Sequence, residues 1–112
     1  MKVTKSEDNL LEFDSGLVVE GDGEEDCCAI NYLDFEQLPV GTELPAMTVG
    51  QFVDNITRKD DGFSVKDSAG VPKWVQARSQ QNGYYSNITT LIVRDKDTAV
   101  DMGPFEGLES DE

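Results

Sequence analysis

The sequence predicts a small α+β domain that is mainly β, with antiparallel hairpins or a meander and one or two short helices. Three observations favour this fold class. The chain has 112 residues, which suits one domain with a single modest core. Short segments rich in β-branched and aromatic residues are separated by turn sequences containing Gly, Asn or Asp. One tryptophan, three tyrosines and five phenylalanines supply the large side chains that such a core needs.

The first predicted element is a β-hairpin. Residues 9–13 and 17–20 are short β-type runs, and the Asp-Ser-Gly sequence at 14–16 is a typical tight turn. An acidic loop over residues 20–26, with two glycines, is expected next. It leads into an apolar stretch over residues 27–35.

Short helical segments are predicted in the middle of the chain. Asp34 and Gln37 have the spacing of a helix-capping pair, and Pro39 would end the single turn that they start. Residues 48–56 carry apolar side chains at helical spacing behind a Thr/Gln capping pair, which favours a helix. Their β-branched content also suits a strand.

Three strands are predicted to form a meander over residues 63–67, 73–80 and 87–94, separated by turn sequences at 68–70 and 82–83. The last segment, from residue 95, has seven acidic residues and one lysine, with two glycines and a proline. We therefore predict one β-rich domain over residues 1–94 and an acidic, flexible tail over residues 95–112.

Charge is the most informative global property. The chain has 23 acidic and 9 basic residues, a net charge of −14, and residues 1–56 contain 13 of the acids and 2 of the bases. Such a field disfavours direct binding to nucleic-acid phosphates or anionic lipids, and it speeds association with a basic protein surface. The alternative is that surplus acid merely keeps a small protein soluble.

The usual catalytic constellations are absent from the sequence. There is no histidine and no glycine-rich phosphate loop, which excludes Ser-His and Cys-His pairs and the common nucleotide sites. Cys27 and Cys28 follow three acids, which raise the pKa of a thiol and make it less reactive. We therefore predict a protein that is not an enzyme.

Cofactors and metals are likewise not expected. The alternating acids at 20–26 resemble the start of a calcium loop, but Glu25 stands where the turn glycine belongs and Asn31 where the bidentate acid belongs. Zinc sites usually take four Cys or His ligands. A solvated acidic loop explains this segment better.

Cellular location follows from two further features. No apolar run approaches the roughly 18–20 residues of a membrane span, and the N-terminus lacks the apolar stretch of a secretory signal. The two cysteines are adjacent, so they provide no disulfide framework. We expect a cytoplasmic protein with no membrane partner.

Two clusters, D-C-C at 26–28 and N-G-Y-Y-S at 82–86, carry a resemblance. Together with the acidic turn ending near L-P-V-G-T at 38–42, they resemble an uncharacterised domain family of bacteriophage and bacterial genomes. The resemblance covers about residues 9–94. It implies a small α+β or mainly β domain that is phage-encoded, with no established activity.

These clusters also have a structural interpretation, in which the cysteines are buried hydrophobes and Asn-Gly makes a tight turn. In the functional interpretation, Tyr84, Tyr85 and Ser86 meet the loop at Asp26 to form a pocket or a docking edge. Trp74 and Arg78 share one strand face that extends this surface. The predicted binding residues are Asp22, Glu24, Glu25, Asp26, Cys27, Cys28, Trp74, Arg78, Asn82, Gly83, Tyr84, Tyr85 and Ser86.

The leading functional hypothesis is a phage-type accessory protein that inhibits a bacterial host or defence protein, in the host cytoplasm, by presenting an acidic, nucleic-acid-mimicking surface to a basic site. The first alternative is a small-ligand binder such as a signalling-nucleotide sponge, in which Tyr84, Tyr85 and Trp74 stack a base and Arg78 meets phosphate. The second alternative is a structural component of a virion.

Overall fold

Most of the chain forms β-strands because its β-branched segments bury every second side chain. The structure is a computed structural model that describes residues 1–23, 29–80 and 86–110. Within those residues there are ten strands and one helix: β1 (Val3–Glu7), β2 (Leu10–Phe13), β3 (Val18–Gly23), β4 (Ile30–Asp34), α1 (Val49–Asn55), β5 (Thr57–Lys59), β6 (Gly62–Lys66), β7 (Pro72–Gln80), β8 (Ile88–Arg94), β9 (Ala99–Glu106) and β10 (Leu108–Ser110).

The strands form two sheets. The first has the order β1-β2-β3-β8-β9 and is antiparallel, whereas the second has the order β10-β7-β6-β5, with β4 also paired to β7. Strand β10 runs parallel to β7. Both sheets contribute to one apolar core, with Leu11 and Val93 from the first and Phe63 and Val75 from the second. The predicted fold class, mainly β with antiparallel hairpins and a short helix, is confirmed.

The predicted N-terminal hairpin is also confirmed. Strand β2 pairs antiparallel with β3, and Phe13 N donates to Leu17 O over 3.0 Å to close the turn. Gly16 has a φ of 93°, a left-handed conformation that glycine adopts without a steric penalty.

The start of the expected acidic loop is strand instead, because residues 20–23 pair in register with residues 89–92 of β8. A Cβ atom on Gly21 would lie 2.2 Å from Asn9 Oδ1, and one on Gly23 would lie 2.1 Å from Asn31 O. The two glycines therefore serve close packing between neighbouring chain segments rather than a loop. The remainder of that prediction, residues 24–26, lies outside the described part of the chain.

The helix predicted over residues 48–56 is present as α1, which spans Val49–Asn55 between the caps Thr48 and Ile56. Thr48 Oγ1 accepts from Gln51 N over 3.2 Å, and Gln51 Oε1 accepts from Thr48 N over 3.0 Å, which completes a capping box. Val49 and Phe52 anchor the helix in the core. Among the residues that the structure describes, no helix is long and apolar enough to cross a membrane.

The second predicted capping pair does not start a helix. Asp34 Oδ1 accepts from Glu36 N over 3.0 Å, as in a side-chain turn, and Leu38 N donates to Phe35 O. The Gln37 side chain is used elsewhere, since its Oε1 accepts from Trp74 N over 2.9 Å. The predicted single turn is therefore present between the buried Phe35 and Leu38, but it does not continue into a helix.

The predicted meander is wrong in its last step. Strands β6 and β7 do form a hairpin, but β8 pairs with β3 and β9 in the other sheet. The alternation of buried side chains identifies β8 as a strand, yet it carries no information about which neighbour the strand takes. The turn predicted at 82–83 lies outside the described residues.

The prediction of a flexible tail is wrong for residues 99–110. Strand β9 pairs with β8, and β10 pairs with β7. Phe105 is fully buried, and its ring centroid lies 5.7 Å from that of Phe63. Val100 and Met102 also pack against the core. These apolar side chains face inward, and the acidic residues Asp101 and Glu106 are exposed on the outer side of β9.

One junction between the sheets is formed by Asn9, in the turn between β1 and β2. Its backbone N donates to Leu33 O over 3.0 Å, and its carbonyl accepts from Gly21 N over 3.0 Å. Its side-chain Oδ1 accepts from Leu33 N over 2.8 Å, while Nδ2 donates to Asn31 O over 3.3 Å. Asn9 therefore satisfies polar groups along the edge of β4 that faces the first sheet.

A second junction is formed by Arg58 of β5. Its guanidinium donates to Met102 O and Pro104 O of β9 and lies 4.0 Å from the centroid of the Phe105 ring. Nearby, Glu106 N donates to Asp60 O over 2.9 Å. The outer edge of β9 is thus occupied by groups of the second sheet.

Candidate functional site

The outer face of the first sheet can be traced from its strand register, because residues paired across antiparallel strands project to the same side. Fifteen residues share this side, opposite to the core; we call this surface the acidic face. Its members are Lys5, Glu7, Leu10, Glu12, Val18, Glu20, Asp22, Ile88, Thr90, Ile92, Arg94, Ala99, Asp101, Pro104 and Glu106.

The acidic face carries more carboxylates than cations. The six carboxylates belong to Glu7, Glu12, Glu20, Asp22, Asp101 and Glu106, and the two cations to Lys5 and Arg94. Both cations stand in the same cross-strand row. The other rows of the face carry five carboxylates and no cation of their own.

Ion pairs cover part of this charge. Arg94 Nε donates to Glu20 Oε1 over 2.9 Å, and this hydrogen bond raises the pKa of Arg94 above its ordinary value. Lys5 Nζ lies 3.7 Å from Glu7 Oε1 in a well-exposed pair, which contributes little. Asp101 and Glu106 have no cation within 4.0 Å in the part of the chain that the structure describes.

Apolar side chains lie between the carboxylates. Leu10, Val18, Ile88 and Ile92 are half-buried on this face. They provide contact area that a purely charged surface lacks, and a surface that combines both features suits a protein partner.

Of the predicted binding residues, Asp22 lies on the acidic face, opposite Thr90. Trp74 and Arg78 lie on the other side of the molecule, on the outer face of β7, where the alternate residues Val75 and Ala77 are buried. The structure therefore does not bring Asp22 together with Trp74 and Arg78. The predicted surface that combines these three residues is therefore divided between two faces.

Nine predicted residues lie outside the described part of the chain: Glu24, Glu25, Asp26, Cys27, Cys28, Asn82, Gly83, Tyr84 and Tyr85. The residues that flank them do meet. Ile30 pairs with Gln80 at one end of the β4–β7 ladder. Buried Asn31 accepts from Ser79 Oγ over 2.6 Å and donates from Nδ2 to Ser86 O over 2.8 Å. The described residues next to the two clusters thus lie at a common corner of the fold.

Arg78 is already engaged within the protein. Its Nε donates to Asp34 Oδ2 over 2.7 Å, and this hydrogen bond raises the pKa of Arg78. The pair lines a shallow cleft of about 400 Å³ together with Tyr32 and Leu108. A phosphate group would have to compete with Asp34, which counts against the role of phosphate anchor that the sequence suggested for Arg78.

Trp74 is held in a fixed position. Its Nε1 donates to Gln76 Oε1 over 2.9 Å. A Cβ atom on Gly62 would lie 2.6 Å from Cζ2 of the indole ring and 2.3 Å from Val75 O, so the ring covers the Gly62 backbone.

Replacing Gly62 by alanine should therefore displace the indole. Trp74 is the single tryptophan of the chain, so its fluorescence reports the change without interference. We expect a red-shifted emission maximum and a loss of stability of about 2 kcal/mol, as is typical of overpacking against backbone. Gly50→Ala is the matched control, because its added methyl meets nothing closer than 4.0 Å. Identical spectra for Gly62→Ala and the parent protein would contradict this packing.

The rest of the described structure contains a larger cleft but no cluster of metal-binding side chains. Within the described residues there is no group of three or more His, Cys, Asp or Glu that could hold a metal ion. A cleft of about 620 Å³ lies between α1 and β6, and its charged lining residues are Asp54, Lys66 and Asp67. The four predicted binding residues within the described part of the chain, Asp22, Trp74, Arg78 and Ser86, do not line this cleft.

Sequence reasoning missed most of the acidic face. The predicted flexible tail includes Asp101 and Glu106, and Glu7 and Glu12 are not among the predicted binding residues. The available signal was the inward spacing of Val100, Met102 and Phe105 along the last strand.

In comparisons with known proteins, the chain matches no protein-family model, no curated protein and no solved structure.

Proposed function

We propose that this protein is a non-enzymatic binding protein that recognises a basic protein surface through its acidic face. The observation that carries the proposal is the composition of that face, with six carboxylates, two cations in a single row and half-buried apolar residues between them.

Electrostatics supports a basic protein rather than a nucleic acid or an anionic membrane. The whole chain has a net charge of −14, and the acidic face adds a local surplus of the same sign. A field of this kind accelerates the approach of a positively charged surface and repels phosphate.

The scaffold supports the proposal in a second way. The carboxylates are carried by paired strands whose opposite faces are buried in the core, so little backbone conformational entropy is lost on binding. Charges on a rigid sheet resemble the regular display of phosphates along a nucleic acid. We therefore extend the proposal to a phage-type accessory protein that stoichiometrically blocks a basic, nucleic-acid-binding site of a bacterial host or defence protein in the host cytoplasm.

The test compares two variants with the same charge change. In the face variant, Asp22→Asn, Asp101→Asn and Glu106→Gln remove three charges from the acidic face. In the control variant, Glu36→Gln, Asp54→Asn and Glu109→Gln remove three charges from exposed positions elsewhere. Each protein is immobilised, exposed to bacterial lysate, and analysed by quantitative mass spectrometry.

We expect basic proteins to be retained by the parent protein and by the control variant, and to be depleted about tenfold by the face variant. With the recovered partner, the face variant should lower the association rate more than it raises the dissociation rate, and added salt should have the same effect. Equal retention by all three proteins, or equal loss by both variants, would contradict the proposal. A small molecule that co-purifies with the parent would favour the nucleotide-sponge alternative.

A further inference from the structure

We infer that the partner presents an amphipathic basic α-helix to the acidic face, lying across the strands, with its cations repeated every seven residues. The inference rests on the proposed function, because it names the element that a basic partner would use. It is drawn from one cross-strand row of the first sheet.

That row contains one residue from each strand. Glu7 of β1 pairs with Leu10 of β2, Leu10 with Glu20 of β3, Glu20 with Ile92 of β8, and Ile92 with Asp101 of β9. Carboxylates thus occupy the first, third and fifth strands of the sheet, and apolar side chains occupy the second and fourth.

The spacing of this row matches a helix. Adjacent strands are about 4.8 Å apart, so carboxylates on alternate strands are separated by about 10 Å. An α-helix rises about 1.5 Å per residue, so cations seven residues apart are separated by about 10.5 Å and remain on one side of the helix. Apolar residues three or four positions after each cation fall between them, opposite Leu10 and Ile92.

An extended segment does not fit the same row. In a strand, about 10 Å corresponds to three residues, and residues at odd separations project to opposite sides. Cations at that spacing could not all reach the sheet. The alternation of the row therefore favours a helical partner element over an added strand.

The neighbouring rows determine how the helix lies. On one side is the row that contains Lys5 and Arg94, and on the other side Asp22 lies opposite Thr90. The flank of the helix above Arg94 should be neutral or acidic, whereas the flank above Asp22 should carry further cations. Asp101 contributes most, because Glu7 and Glu20 each have a nearby cation of their own.

The test uses helical peptides of about eighteen residues as probes. In the first peptide, lysines repeat every seven residues and leucines stand three and four positions after each lysine. The second has the same composition, with the leucines moved to the opposite side of the helix. Affinities are measured by fluorescence anisotropy for the parent protein, for Leu10→Gln with Ile92→Gln, for Asp101→Asn, and for the exposed-site control Asp54→Asn.

We expect the first peptide to bind the parent protein about tenfold more tightly than the second. Leu10→Gln with Ile92→Gln should abolish that preference and leave the salt-dependent component of the binding affinity. Asp101→Asn should weaken the binding of both peptides, and Asp54→Asn should weaken the binding of neither. If both peptides bind equally and both are weakened by Asp101→Asn, the helical inference is wrong and the proposed function stands. If neither peptide responds to any substitution on the face, both are wrong. Circular dichroism of each variant confirms that the sheets are intact.

Discussion

Replacing Phe105 by alanine is expected to lower the free energy of unfolding by about 3–5 kcal/mol, as for other fully buried phenylalanines. Phe105 has no exposed surface, its ring centroid lies 5.7 Å from that of Phe63, and the Arg58 guanidinium lies 4.0 Å from its centroid. The truncation removes these contacts and leaves a cavity that the paired strands around it cannot close. Equilibrium urea denaturation, followed by far-ultraviolet circular dichroism, measures the loss.

The matched control is Leu108→Ala in the following strand. Leu108 is 54% exposed, so its truncation should cost less than about 1 kcal/mol. If Phe105→Ala proved as mild as Leu108→Ala, residues 99–110 would not be an integral part of the core. The comparison therefore distinguishes a packed strand from the flexible tail that composition alone suggests.

The second large effect is expected at Asn9. Asn9→Ala removes the side-chain groups that pair with Leu33 N and Asn31 O, and unpaired backbone groups of this kind cost about 1–3 kcal/mol each. Asn9 also has a φ of 66°, which alanine tolerates poorly, at a cost of about 1–2 kcal/mol. A loss of about 3 kcal/mol or more in the free energy of unfolding is the expected result, measured by thermal and urea denaturation.

Two further substitutions separate the causes at Asn9. Glycine removes the side-chain hydrogen bonds but accepts the left-handed backbone, so Asn9→Gly should be less destabilising than Asn9→Ala by about 1 kcal/mol. Aspartate keeps an oxygen acceptor for Leu33 N and loses the donor to Asn31 O, so Asn9→Asp should fall between the parent and glycine. A stability unchanged in all three variants would show that the junction with β4 does not depend on this side chain.

Local signals in the sequence predicted several elements correctly. The Asp-Ser-Gly turn of the first hairpin and the Thr48/Gln51 capping box each depend on residues within a few positions of one another. The alternation along β6, β7 and β8 is local as well. Strand β5 was not predicted, because a three-residue exposed strand has no inward periodicity to detect.

The incorrect predictions concern segments whose structure depends on residues far away in the chain. The glycines at 21 and 23 indicated a loop, but in the structure they let β3 approach Asn9 and Asn31. The acids after residue 95 indicated a flexible tail, although Phe105 between them is buried. In both cases long-range contacts hold in a sheet a segment whose composition, taken alone, is typical of a surface loop.

The candidate site also depends partly on local sequence and partly on long-range contacts. The sequence by itself determined the surplus of acid, the absence of histidine and the identity of several strands, among them β2, β6, β7 and β8, because these are properties of composition and of near neighbours along the chain. The tertiary structure decided that Glu7, Glu20 and Asp101 share one row with Leu10 and Ile92 between them. Alternation of polar and apolar residues determines which of two faces a side chain occupies. Which strands become neighbours depends instead on burial of the whole core, and this brings together residues that are far apart in the chain.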